Sequence, residues 1–93
     1  MNRVEFVHLI ENKPETIDQI QHNFVKFMAL YNLISEYTFS AIDMNDCSFC
    51  ITFIESVDVQ KIYDFLPNEM YMYNTLLRFE KQKSANSIII KFI

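Results

Sequence analysis

Arg3-Val4-Glu5-Phe6-Val7-His8-Leu9-Ile10 is the stretch on which the fold turns. Val4, Phe6, His8 and Ile10 fall on one side of an alternating pattern, and Glu5, Val7 and Leu9 on the other. Period two with β-branched and aromatic residues reads as a strand. A short helix competes, because Val4, Val7 and Ile10 are also spaced by three. Taken as a strand, the stretch opens the chain with β-structure and sets the order of everything after it.

Asn12-Lys13-Pro14-Glu15 has the character of a helix start, with Asn12 as cap, Pro14 in the first turn and Glu15 at capping-box spacing. Ile17, Ile20, Phe24, Phe27, Met28, Tyr31 and Ile34 then recur at steps of three and four, which predicts an amphipathic helix of about 20 residues. From Phe24 to Ile34 its apolar residues exceed what one buried face requires. Val25, Leu30 and Leu33 are the surplus, and a helix packed on its own sheet and also on a partner accommodates them.

Tyr37–Met44 and Cys47–Glu55 read as strands joined at Asn45-Asp46, two residues that tolerate the left-handed conformation of a tight turn. Cys47 to Ile54 carries apolar side chains on both faces, which points to the middle of a sheet covered on both sides. Ser56 caps a predicted helix over Val57–Leu66 with Val59, Ile62, Tyr63 and Leu66 inward, and Pro67 stops it. Met70 to Phe79 reads as extended, since Tyr71, Tyr73, Thr75, Leu77 and Phe79 alternate; continued helix is the alternative. A polar turn over Lys81–Asn86 leads to a final strand, Ser87–Ile93.

The expected fold is a single α+β domain over residues 1–93. Its order is ferredoxin-like, βαββαβ, with one additional C-terminal edge strand and two helices on one face of an antiparallel sheet. The right-handed crossover rule places the first strand beside the third.

Composition narrows the function. The chain has 93 residues, 51% of them hydrophobic, and no glycine. Without glycine, the P-loop, the dinucleotide fingerprint, the KH clamp, the RRM signature and the nucleophile elbow are closed. Abundant Phe, Tyr, Ile, Asn and Lys beside scarce Ala, Arg and Pro also point to an AT-rich genome, such as that of a phage, a mobile element or a low-GC microbe. A small domain rich in large apolar side chains leaves some of them outside, and a partner, most often a second copy, covers them. No stretch reads as a signal h-region or approaches the ~18 apolar residues of a membrane span. Two cysteines make no disulfide framework, which fits a reduced intracellular protein.

Cys47 and Cys50 form a C-x-x-C that His8 and His22 complete on paper as a zinc set. On a strand, however, residues three apart point to opposite faces, so half-buried thiols are the expected reading and no metal or cofactor is assigned. No nucleophile, base or carboxylate pair stands out as catalytic. The formal charge is −4, yet from Arg78 onward Arg78, Lys81, Lys83 and Lys91 outnumber Glu80. This basic hairpin is either a solvated edge or a phosphate contact. Met70-Tyr71-Met72-Tyr73 joins residue types enriched at interface cores. The functional expectation is a non-enzymatic protein–protein interaction module. It would be a homodimeric inhibitor or accessory protein using Met70, Tyr71, Met72, Tyr73, Val25, Leu30 and Leu33. A nucleic-acid-binding regulator using Arg78, Lys81, Lys83 and Lys91 is the alternative.

Overall fold

Asn2 decides how the chain begins. In the computed structural model, which describes residues 1–30, 36–53, 59–82 and 85–93, its side chain accepts from the Glu5 N–H at 2.8 Å. The Glu5 carboxylate accepts in turn from the Asn2 N–H at 3.4 Å, closing a capping box. Arg3–Asn12 is therefore a helix, α1, and not the expected strand. Its inner stripe is Phe6, Leu9 and Ile10, at steps of three and four, with Phe6 fully buried. Asn12, expected to cap the next helix, instead closes this one by donating to the His8 carbonyl at 2.8 Å.

The second helix, α2, runs Glu15–Leu30. Ile17, Ile20, Phe24 and Met28 are buried along one face, as their spacing predicts. A third helix, α3, covers Val59–Phe65, with Ile62 and Tyr63 buried and Leu66 just beyond its end. The expected positions Tyr31, Leu33, Ile34, Ser56 and Lys83 lie outside the described residues.

Among the described residues five strands make one antiparallel sheet: β1 Tyr37–Phe39, β2 Ser48–Phe53, β3 Glu69–Met72, β4 Thr75–Gln82 and β5 Ser87–Phe92. Their spatial order is β1-β2-β5-β4-β3. This is α+β with an antiparallel sheet, but the ferredoxin-like order does not hold. The stretch expected as its first strand is α1, its fourth strand is a hairpin, and β5 lies at the centre between β2 and β4. The reason is in β5 itself. Ile88, Ile90 and Phe92 are all buried, and Phe49↔Ile90 and Phe79↔Ile90 flank it on both sides.

The three helices among the described residues cover one face. Phe6 packs on Phe92 with ring centroids 5.0 Å apart, and Phe24 on Phe79 at 5.8 Å. Tyr63 of α3 donates its hydroxyl to the carbonyls of Gln82 and Ser87, at 2.8 and 3.0 Å, and burial pushes this phenol up. One core cluster joins all three helices to the sheet. The opposite face carries Ser48, Cys50, Thr52, Ser87, Ile89 and Lys91. So β2 is interior to the sheet, but its second face is small and polar, running from buried Ser48 through half-buried Cys50 to exposed Thr52, and not the apolar face expected.

Turns do without glycine. Tyr73 and Asn74, at φ 52° and 59°, form the two-residue turn between β3 and β4, and Cys47 (55°) and Asn86 (48°) take the left-handed position at two others. Two successive positive φ values match the right-handed strand twist, which is why Asn-Gly dominates such turns. Asn74→Gly is therefore expected to stabilise the domain by about 0.5–1 kcal/mol. The change reads as a higher urea midpoint at unchanged m-value.

Candidate functional site

The total accessible surface is 5750 Å², close to the roughly 5700 Å² that a compact chain of 11.1 kDa presents. The core thus takes in most of the apolar surplus. Among the described residues, Val4, Leu30, Tyr37, Phe65, Tyr71 and Tyr73 are the large apolar side chains left exposed. Of these six, Val4 and Tyr73 border one groove, between α1 and the β3–β4 turn, and that groove defines the candidate site.

Met70 and Met72 point under the helix layer and pack against the core, half-buried. Tyr71, between them, stands on the open face and is 75% exposed. Strand alternation predicts that Tyr73 shares the Tyr71 face. It sits instead in the left-handed turn, which swings it to the helix side, where Asn23 of α2 donates to its hydroxyl.

Beside that turn, α1 and the hairpin enclose an open groove of about 570 Å³, lined by Met1, Val4, His8, Lys13, Tyr73 and Asn74, among others. Val4 and His8 meet there because residues four apart share a helix face. The Asn12 side-chain nitrogen lies 3.1 Å from His8 Nδ1 and fixes the ring beside the groove. The groove's surface is mostly apolar, with His8, Lys13 and Asn74 among its polar lining. Sequence reasoning misses Val4, His8 and Asn23. The helical spacing of Val4 and His8 is the available signal, hidden by the strand reading.

A second shallow groove, about 520 Å³, runs along α2 past Asn23, Lys26 and Leu30. Leu30 belongs to this surface. Val25 does not: it is half-buried on another flank, about 140° from Leu30 around the helix axis. Leu33 lies outside the described residues.

The basic residues are dispersed. Arg78 lies on the open face and donates from Nε and Nη2 to Glu69 Oε1, at 3.3 and 3.1 Å. Lys91, its cross-strand neighbour, pairs with Asp46 at 3.1 Å. That hydrogen bond, helped by one from Ser48, holds the Asp46 carboxyl below its usual 3.8, and Asp46 raises Lys91 in return. Lys81 points to the opposite face, where its Nζ donates to the Leu66 carbonyl at 2.7 Å and closes the end of α3. Lys83 lies outside the described residues. Arg78, Lys81 and Lys91 therefore do not form one cationic surface.

Cys47, at the left-handed turn position before β2 and not on the strand as expected, is buried on the helix side, and Cys50 is half-buried on the other face, both as free thiols. His8 and His22 are exposed on separate helices. Among the described residues no three His, Cys, Asp or Glu side chains gather closely enough to hold a metal ion. No helix among them is long and apolar enough to cross a membrane. The chain matches no protein-family model, no curated protein and no solved structure.

Proposed function

We propose that this domain is a non-enzymatic protein–protein interaction module, acting inside the cell as an inhibitor or accessory protein by occupying a surface of another protein. The contact is the groove between α1 and the β3–β4 turn. The observation that carries the reading is the pair of exposed side chains Val4 and Tyr73 bordering an open and mainly apolar groove. Exposed aromatic and aliphatic anchors bordered by polar groups are the composition of interface cores. The nucleic-acid alternative draws no support from Arg78, Lys81 and Lys91, each of which already has an intramolecular partner.

Val4→Asp tests the reading. Val4 is 78% exposed in the first turn of α1, where a carboxylate is favoured by the helix dipole, so the fold should not suffer. A protein retained stoichiometrically by the wild-type chain from extracts of its host should be lost, by about tenfold or more, with Val4→Asp. Equal retention by both chains, or no protein retained by either, would overturn the proposal.

A further inference from the structure

We infer that β3 is a docking strand for a second copy of this chain, pairing antiparallel with its own symmetry mate so that two five-stranded sheets become one continuous sheet. The inference deepens the interaction reading by naming one partner and the edge it uses. It begins with the register of the β3–β4 hairpin. Met72↔Thr75 flank a two-residue turn, so Met72 and Met70 exchange their hydrogen bonds with β4. The bond from Phe79 N–H to the Asn68 carbonyl, at 2.8 Å, continues the same alternation. The N–H and C=O groups of Glu69 and Tyr71 therefore point away from β4, and among the described residues nothing bonds them.

Natural edges are blunted by charged side chains, lysine above all, by proline or bulges, or by extreme shortness. The other edge, β1, obeys that practice with three residues. Glu69–Met72 is one residue longer and contains no lysine, proline or bulge, and its one charge, Glu69, is paired with Arg78 of the same chain.

The strand is also complementary to itself. With a two-fold axis at Met70, Glu69 of each copy faces Tyr71 of the other, and both pairs exchange two backbone hydrogen bonds. No like charges then stand opposite each other, Glu69 is already held by Arg78, and each Tyr71 hydroxyl is presented to a carboxylate. Shifting the axis to Tyr71 pairs Glu69 with Tyr73, whose left-handed backbone cannot extend the ladder. The first register is thus the better one. A standard interface takes about 800 Å² from each partner, roughly a seventh of the 5750 Å² surface. The strand needs neighbouring area, and the groove at Asn23, Lys26 and Leu30 adjoins it through the Asn23–Tyr73 hydrogen bond.

Sedimentation equilibrium of the full chain, from micromolar to millimolar concentration, tests this. The wild type and Val4→Asp should both dimerise. Tyr71→Pro removes an N–H that faces away from β4, a position where an edge strand tolerates proline, and should be monomeric while keeping its circular dichroism. Tyr71→Glu faces Glu69 of the other copy twice and should weaken the dimer by about tenfold, whereas Tyr71→Lys, facing the same carboxylates, should not weaken it. That contrast holds even if the proline variant fails to fold, and simple loss of an exposed aromatic ring would affect both variants alike. A wild-type monomer at all concentrations, or a dimer indifferent to Tyr71→Glu, would overturn the inference. Either result leaves capture of a foreign protein through Val4 standing, and loss of that capture leaves the dimer standing.

Discussion

A chain ending at Asn86 is expected to lose cooperative unfolding altogether. The missing segment is β5, which lies between β2 and β4 and carries Ile88, Ile90 and Phe92 into the core. Without it the sheet separates into two two-stranded pieces, β1–β2 and β3–β4, each marginal by itself in water. Each fully buried side chain of this size contributes about 1.5–3 kcal/mol, against a total of about 5–14 kcal/mol for a domain this long. Far-ultraviolet circular dichroism during a urea titration reads the outcome. A sigmoidal transition in the shortened chain would mean that β5 is an edge strand, as its place in the sequence suggests, and would refute the observed order.

Phe92→Ala is the single substitution with the largest expected cost, about 3–5 kcal/mol. Phe92 is 1% exposed, and its ring meets Phe6 at 5.0 Å and Phe49 at 6.2 Å between centroids. Phe6 is the one buried side chain of α1, so the cavity opens directly beneath that helix. The expected result is a large fall in urea midpoint together with fast amide exchange throughout α1, since a ten-residue helix is marginal once undocked. The groove around Val4 would go with it. A loss below about 1 kcal/mol would show that the site collapses readily or that α1 docks by other contacts.

Periodicity discloses the parts of the fold that depend on burial alone. The steps through Ile17, Ile20, Phe24 and Met28 mark α2, and the alternation of Ile88, Ile90 and Phe92 marks β5. It misleads at Arg3–Ile10, where valines and Phe6 favour a strand and local capping by Asn2 and Glu5 prevails. It misleads again at Tyr73-Asn74. A two-residue turn places its flanking residues on the same face, so inward positions change from even (Met70, Met72) to odd (Thr75, Leu77, Phe79). That change of parity is present in the sequence, but a turn without glycine conceals it.

The candidate site is legible in part. Met70-Tyr71-Met72-Tyr73 stands out by composition, and Tyr71 and Tyr73 do reach the surface. Val25 and Leu30 separate because five helical steps carry them well apart around the axis. Arg78 and Lys91 part from Lys81 because strand residues three apart, or paired across strands one step out of phase, face opposite sides of the sheet. Nothing in the linear order reveals that acids at Glu69 and Asp46 meet two of those bases.

Both proposed roles require the side of the molecule around β3 to be covered by protein. Amide exchange measured residue by residue, in dilute and in concentrated solution, addresses that directly. Slowing with concentration confined to the Glu69 and Tyr71 amides and the flank of α2 near Leu30 is the predicted result. Equal and rapid exchange of those two amides at every concentration would contradict the self-pairing on which the account rests.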